Sequence, residues 1–151
     1  MPCVTGFNAG HSSFTYLTAR PDVDVRSFDI RRMLMVPYLQ RKFPGRLKFI
    51  HGDSRKTVPC YFANSRQSKH PITCDMMVVD SSHDGNVPLH DFRNLASAAS
   101  QPYNVIFADD MHLPAVRSGW ETVVRSGLVQ ELFTCRFFAL GMAVKQRNKH
   151  S

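Results

Sequence analysis

Aspartates are the residues of this sequence whose number and positions favour chemistry. The chain has ten aspartates and only two glutamates. Glutamate is the better acid for exposed helices, whereas aspartate suits caps, turns and ligand sites. Five of the ten come at the ends of apolar segments with strand character: Asp29, Asp53, Asp80, Asp109 and Asp110. Each could cap a helix by itself, but together they predict an acidic edge along a sheet.

A glycine-rich segment, Gly6-Phe7-Asn8-Ala9-Gly10-His11-Ser12, ends the first apolar segment. Glycines four residues apart let the backbone turn tightly and approach a ligand closely, with a helix N-terminus behind it. The segment is neither the G-x-G-x-x-G of the nicotinamide fold nor the lysine-containing phosphate loop, so we do not expect ATP or GTP hydrolysis. An acid that ends the second strand, here Asp29, suits a ribose diol and so predicts a nucleoside ligand.

The elements that must position these residues alternate along the chain. We predict strands over 2–6, 23–28, 47–51, 74–79 and 103–108, helices over 12–18, 31–42, 54–65, 89–99 and 115–126, and a terminal antiparallel strand pair over 128–135 and 137–145. We expect Pro37 to kink or shorten the second helix. This alternation predicts an α/β protein with a parallel sheet and helices on both faces. Ligands of such sheets bind beyond the carboxyl ends of the strands.

Length and composition limit the class of protein. The 151 residues, 43% hydrophobic and 21% charged, suffice for one domain with a sizeable core. We expect a single domain over 1–145 and a disordered basic tail over 146–151. No apolar run approaches the roughly 20 residues of a membrane-spanning helix. Since the first residues do not resemble a signal peptide, we expect a cytoplasmic protein with no membrane partner.

The four cysteines, Cys3, Cys60, Cys74 and Cys135, include no C-x-x-C pair. Their spacing therefore indicates neither a zinc site nor a redox dithiol. We expect four reduced thiols that are mostly buried.

The net charge of +7 is unevenly distributed. Residues 1–70 carry 12 basic and 4 acidic side chains, whereas residues 71–144 carry 4 basic and 8 acidic ones. A basic half would suit nucleic acid or another polyanion. The basic residues are nevertheless scattered, with no run of five and no interleaved aromatic residues. Nucleic-acid binding is therefore the lesser interpretation, and solvated helix surfaces are the greater one.

In their order and spacing, these segments resemble the motifs of class I S-adenosylmethionine-dependent methyltransferases. The resemblance is greatest to the branch of catechol and macrocin O-methyltransferase-like enzymes (methyltransferase domain family 24-like). The glycine-rich segment is similar to the first motif of that branch, G-x-x-x-G-[YH]-S. The later motifs are matched, in order, by Phe28-Asp29, Gly52-Asp53-Ser54, Val79-Asp80-Ser81-Ser82-His83 and Asp109-Asp110. The likeness runs from about residue 6 to residue 145.

The resemblance implies a Rossmann-like, doubly wound sheet of seven strands, mostly parallel, with an antiparallel last strand. It also implies an S-adenosylmethionine site along the sheet edge. The residues implied for that site are Gly6, Phe7, Asn8, Gly10, Ser12, Asp29, Asp53, Ser54, Asp80 and Ser81.

A divalent ion is a further implication of the resemblance. Its ligands would be Asp80, Asp109 and Asp110, which are hard oxygen donors suited to Mg²⁺. The ion would orient a substrate hydroxyl and lower its pKa. The alternative is that the three acids are caps and a cofactor contact, with no metal. Asp80 and His83 are the candidate catalytic residues, and His11 is a second loop histidine considered as general base.

The sequence departs from the family pattern at two positions and in the length of chain before the first motif. Val4 stands where the family has an acid that binds the methionine end of the cofactor, and Ser81 replaces the usual glycine after the fourth strand. The family's N-terminal helices cannot fit before Gly6, so we expect a chain that lacks this cover.

Three functions follow from these observations. The leading interpretation is O-methylation of a small-molecule acceptor with S-adenosylmethionine. The alternative is a non-catalytic or truncated protein of the same fold that acts through a partner. A nucleic-acid-directed protein ranks third, and a homo-oligomer stays open under each interpretation.

Overall fold

The computed structural model of the chain describes residues 1–144. Its elements, in chain order, are β1 (Pro2–Thr5), α1 (His11–Ala19), β2 (Val25–Asp29), α2 (Met35–Lys42), β3 (Leu47–His51), α3 (Ser54–Arg66), β4 (Met76–Val79), α4 (Val87–Ala96), β5 (Val105–Ala108), α5 (Pro114–Arg125), β6 (Val129–Thr134) and β7 (Ala139–Ala143). Seven strands form one sheet in the order β3-β2-β1-β4-β5-β7-β6. β1 to β5 pair in parallel, and β7 runs antiparallel to both β5 and β6. The predicted sheet of seven strands, mostly parallel with an antiparallel last strand, is confirmed.

Helices cover both faces of the sheet, as the alternation predicts. On one face, Leu17 of α1 and Leu39 of α2 pack into a cluster with residues of the central strands. On the other face, Phe62 of α3, Phe92 of α4 and Trp120 of α5 form a larger cluster. Because β1 lies in the middle of the sheet, all four of its residues are buried. The carboxyl ends of β1 to β5 therefore lie along one edge, between the two helical layers.

The second helix is shorter than predicted. It begins at Met35 rather than at residue 31. Pro37 is its third residue, in the first turn, where a backbone N–H would have no partner within the helix in any case. The proline therefore fixes the start of α2 and does not kink it.

The expectation of four reduced thiols is wrong for two of them. Cys3 in β1 and Cys74 just before β4 form a disulfide across 71 residues of chain, and Cys60 and Cys135 are free. Since β1 and β4 are neighbouring strands, the pairing depends on the sheet and not on a local spacing pattern. Disulfides are commoner in oxidising compartments, and the cytoplasmic location stays a prediction.

Two further expectations concern the ends and the surroundings of the chain. Within residues 1–144, no helix has the length and apolar composition needed to cross a membrane. The predicted domain end at residue 145 and the predicted tail over 146–151 lie outside the described residues.

Candidate functional site

Two glycines shape the loop between β1 and α1. Gly6 has a φ of +91°, and a Cβ on it would lie 1.8 Å from the carbonyl oxygen of Asp80. Gly10 has a φ of +84°, and a Cβ there would lie 2.8 Å from the ring of Phe7. Residues other than glycine rarely adopt this left-handed backbone conformation. The loop can therefore cross the end of β4 and enter α1 at His11 only with glycine at both positions.

Asp29, the last residue of β2, holds this loop in place. Its Oδ2 accepts hydrogen bonds from the backbone N–H of Phe7 (2.9 Å) and of Asn8 (3.1 Å). Its Oδ1 accepts one from the N–H of Arg31 at 2.8 Å. An ionised carboxylate offers about four acceptor positions. With these three bonds formed, Oδ1 keeps one position for a ligand hydroxyl.

The other predicted cofactor residues divide between ligand-facing and structural positions. Asn8 is exposed at the tip of the loop and Ser12 is half-buried in the first turn of α1. The ring of Phe7 is buried and meets the ring of Phe49 edge-on at 5.3 Å between centroids. Only the backbone of Phe7 therefore remains on the ligand side.

Asp53 is engaged within its own segment. It is the N-cap of α3, accepts the N–H of Arg55 at 3.0 Å, and forms a two-pronged ion pair with the Arg55 guanidinium. The hydrogen bond from this guanidinium is the main cause that lowers the Asp53 pKa. The predicted adenine-side acid is thus stabilised by the protein itself, while Ser54 beside it is buried.

The structure brings Asp80, His83 and Asp110 together. Asp80 follows β4 and Asp110 follows the neighbouring β5, and one donor atom of each residue lies within 4.8 Å of the other two. His83 Nε2 is 3.0 Å from Asp110 Oδ2, and His112 Nδ1 is 3.8 Å from Asp110 Oδ1. Asp109 is not in this group, and its Oδ1 accepts the N–H of Asp110. We name Asp80, His83 and Asp110 the acid–histidine cluster.

Charge repulsion and burial act on Asp80. Burial is the largest cause that raises its pKa to about 6, and the charges of Asp109 and Asp110 add to the shift, while His83 opposes it. Burial raises the pKa of the Tyr16 hydroxyl in α1, and the charges of Asp80 and Asp109 raise it further. A carboxyl that titrates near neutral pH can accept a proton during a reaction.

The donor set of the cluster fits a divalent ion, but with a different character from the predicted trio. Two carboxylates suit Mg²⁺, whereas an imidazole nitrogen suits Mn²⁺ or Zn²⁺. Two of the three predicted ligands, Asp80 and Asp110, are in the cluster, with His83 as the third donor. Metal binding by Asp109 stays a prediction.

Sequence reasoning missed Tyr16 and Asp91. The carboxyl of Asp91 in α4 is fully buried and accepts a hydrogen bond from the Ser81 hydroxyl. The signal that could have found Asp91 is its position on the apolar face of the helix, next to Phe92 and Leu95. No comparable pattern marks Tyr16.

Solved structures of methyltransferases resemble this chain throughout its length. The MycE methyltransferase of the mycinamycin biosynthetic pathway, in complex with Mg and SAH, matches with a TM-score of 0.70 and 12% identity over 94% of this chain. The chain shares the fold of methyltransferases. A putative caffeoyl-CoA O-methyltransferase from Staphylococcus aureus matches with a TM-score of 0.68, 14% identity and 95% coverage. Human N-acetylserotonin methyltransferase in complex with SAM matches with a TM-score of 0.60, 14% identity and 95% coverage.

Because the sequence identities are low, these matches show a shared fold and nothing more specific. The chain spans 44% of the MycE chain, 75% of the Staphylococcus aureus chain and 47% of the human chain. No family model matches the sequence, and a search of curated proteins finds no match.

Proposed function

We propose that this protein is an S-adenosylmethionine-dependent methyltransferase that methylates a hydroxyl group of a small molecule. One observation carries the proposal: the glycine loop held by Asp29 packs directly on the backbone of Asp80, so closely that a Cβ on Gly6 would overlap it. A loop suited to a nucleoside therefore lies against the backbone of the residue whose carboxyl is suited to accept a proton. Transfer chemistry requires these two functions side by side.

The methyl donor would lie along the carboxyl ends of β1 to β3. The remaining acceptor position of Asp29 would bind a ribose hydroxyl, with Asp53 and Ser54 on the adenine side. The backbone of Asn8 and Gly10 would face the rest of the donor. S-adenosylmethionine supplies, when bound, a methyl group on a positively charged sulfur.

The acceptor hydroxyl would lie against the acid–histidine cluster. Asp80 takes the hydroxyl proton as the oxygen attacks the methyl carbon, so that the C–O bond forms while the C–S bond breaks. The products are the methyl ether and S-adenosylhomocysteine. His83, whose Nε2 lies 3.0 Å from Oδ2 of Asp110, is the second candidate for the proton.

A metal-assisted reaction is the other form of the proposal: Asp80, His83 and Asp110 would then hold a divalent ion and would not take the proton. Such an ion would orient the acceptor hydroxyl and lower its pKa.

The acceptor is proposed to be a small molecule and not a nucleic acid. Asp80, Asp109 and Asp110 surround the place where the acceptor must bind, and their negative charge would repel a phosphate backbone. Most of the basic side chains lie in residues 1–70, whereas these three acids lie in the second half of the sequence.

Calorimetric titration of the purified chain with S-adenosylmethionine and S-adenosylhomocysteine tests the donor site. We expect saturable one-to-one binding that is lost in Asp29→Ala and retained in Asp22→Ala, because Asp22 pairs only with the exposed Arg20. Transfer of a labelled methyl group to a panel of hydroxyl acceptors, with EDTA or with added Mg²⁺ or Mn²⁺, then tests chemistry and metal assistance. Absence of binding to both donor forms would contradict the proposal.

A second candidate is a protein that keeps the fold without turnover. Val4 favours it, because this side chain is fully buried in β1 at the position where the family has an acid for the methionine end. The ion pair between Asp53 and Arg55 favours it as well, because the carboxylate predicted for the adenine side already has a partner in the protein. Donor binding without methyl transfer to any acceptor would support this candidate over the first.

A further inference from the structure

Asp91 is a carboxyl group in the interior of the protein. Its relative exposure is 0%, and among residues 1–144 it is the only acidic or basic side chain that is buried. It lies on α4, on the face that packs against the sheet. Burial of a charge without a counter-charge is costly, so a role other than packing is expected for it.

Three hydroxyl groups from three different segments surround this carboxyl. The Ser81 hydroxyl donates a hydrogen bond to Oδ2 of Asp91 at 2.5 Å. The hydroxyls of Ser54 and Thr5 also face the carboxyl. Thr5 ends β1, Ser54 begins α3 after β3, and Ser81 follows β4 by two residues.

Each of these hydroxyl residues is the direct chain neighbour of a residue of the proposed site. The neighbours, in the same order, are Gly6 of the loop, Asp53 of the adenine side and Asp80 of the acid–histidine cluster. A single side chain on α4 thus contacts the three segments that form the floor of the proposed site.

Two buried atoms of this group are free to form a further hydrogen bond within residues 1–144. Oδ1 of Asp91 and Oγ1 of Thr5 both lack a hydrogen bond to any atom of residues 1–144. An ionised carboxylate only accepts, whereas an un-ionised carboxyl has one O–H to donate. In the un-ionised form Oδ1 can donate to Thr5, and in the ionised form it can only accept from the Thr5 hydroxyl; Oδ2 accepts from Ser81 in both forms. A buried carboxyl without a buried counter-charge favours the un-ionised form.

We propose that Asp91 is the positioning residue of the methyl-donor site, and that its un-ionised carboxyl ties together the segments after β1, β3 and β4. This inference rests on the proposed function for the identity of the ligand, but not for the contacts themselves. Asp91 does not touch the donor; it fixes the backbone that does.

The electrostatics agree with the un-ionised form. Burial is the main cause that raises the Asp91 pKa, and the negative charge of Asp53 raises it further. The hydrogen bond from Ser81, and the Ser54 and Thr5 hydroxyls that face the carboxyl, oppose the shift. The charge of Asp91 contributes to the raised pKa of Arg55, but the Arg55 guanidinium is exposed and is paired with Asp53.

The test compares Asp91→Asn with Asp91→Ala. A carboxamide reproduces the un-ionised carboxyl, because its oxygen can accept from Ser81 and its NH₂ can donate to Thr5. We expect Asp91→Asn to bind S-adenosylhomocysteine about as well as the unchanged protein, and Asp91→Ala to bind it roughly tenfold or more weakly. Thr5→Val should weaken binding roughly three- to tenfold, the effect of about one lost hydrogen bond.

Ser100→Ala is the matched control. The Ser100 hydroxyl donates to the Asp75 carboxylate at 2.8 Å, at the amino ends of the strands and far from the proposed site in the fold. Its removal also deletes a serine–aspartate hydrogen bond, but it should leave the dissociation constant unchanged.

The pH dependence of binding separates positioning from simple stabilisation. As pH rises through the ionisation of Asp91, affinity in the unchanged protein should fall, because a buried carboxylate without a buried counter-charge destabilises the packing of α4 on these segments. Asp91→Asn should lack this component, whereas the titration of other groups, Asp80 included, should stay in both profiles. A role in stability alone would leave the two profiles parallel.

Hydrogen exchange gives a readout that needs no ligand. In Asp91→Ala, protection of the backbone amides around residues 6–10, 53–55 and 81–83 should fall together, and Asp91→Asn should restore it. If the unchanged protein binds no donor, the proposed function fails, while this exchange pattern still decides the inference. Unchanged protection in Asp91→Ala, or an Asp91→Asn variant as impaired as Asp91→Ala, would overturn it.

Discussion

The edge of the sheet at which β1 to β5 end has two halves, and the aspartates of the two halves differ in their partners. On the β1–β3 half, the Asp29 carboxylate accepts three backbone N–H groups and Asp53 caps α3 while paired with Arg55. On the β4–β5 half, Asp80 and Asp110 lie close to each other, with histidine as their neighbour. The pKa of Asp53 is lowered, whereas that of Asp80 is raised to about 6.

The difference teaches which acids hold structure and which are available for chemistry. A carboxylate that already accepts backbone hydrogen bonds is stable as an anion and shapes the loop around it. A half-buried carboxyl that faces other carboxyls favours a proton or a cation. The proposed donor site is thus built on the satisfied half, and the proposed proton transfer takes place on the unsatisfied half.

Gly6 lies where the two halves meet, and its replacement should have the largest effect. Gly6→Ala places a Cβ against the carbonyl of Asp80 at a positive φ, so we expect a loss of roughly 3 kcal/mol or more in the free energy of unfolding. Gly45→Ala is the control, since Gly45 also has a positive φ (+74°) but nothing lies within 4 Å of its Cβ position. That variant should lose only about 1 kcal/mol. Equal losses in urea denaturation would show that the two halves are not in tight contact.

Asp29 tests the satisfied half. Asp29→Ala leaves the N–H groups of Phe7, Asn8 and Arg31 without their acceptor, and we expect a loss of about 2 kcal/mol in the free energy of unfolding. Asp22→Ala removes an exposed carboxylate paired with an exposed arginine and should have no measurable effect. If the two variants unfold at the same urea concentration, the loop does not depend on Asp29.

Asp80 tests the unsatisfied half, with a smaller effect of the opposite sign. The folded protein holds the Asp80 proton more tightly than the unfolded chain, whose pKa is near 3.8. Ionisation therefore destabilises the fold as pH rises from 3.8 through about 6. Asp80→Asn, which cannot ionise, should gain on the order of 1 kcal/mol relative to the unchanged protein over this range, after allowance for solvent screening. Urea unfolding in EDTA at both ends of the range measures it, and a constant difference between the two proteins would contradict it.

Much of the fold could be predicted because its signals are local. Short β-branched strands alternate with helices at a regular spacing, and β3 falls on the predicted residues, 47–51. The start of α2 was predicted less accurately. A proline is compatible both with the first turn of a helix and with a kink, and only packing decides between the two. The disulfide between Cys3 and Cys74 was missed because nothing in the spacing shows that their segments are neighbours.

The candidate site divides in the same way. The resemblance predicts that Asp80 and Asp110 share a site, and the structure places them together. That His83 belongs to the cluster and Asp109 does not depends on the loops after β4 and β5, where Asp110 has a φ of +56°. Asp91 meets Ser81 only through the packing of α4 on the sheet.

The sequence by itself determined the alternation of elements, the glycines at the turn after β1 and the acids at the strand ends. These follow from backbone conformation and hydrophobic pattern, which act over a few residues. Only the tertiary structure decided which acids are satisfied, which titrate near neutral pH and which buried carboxyl joins the strand ends. Those properties depend on burial and on charges brought together across the sheet, and neither is written in the spacing along the chain.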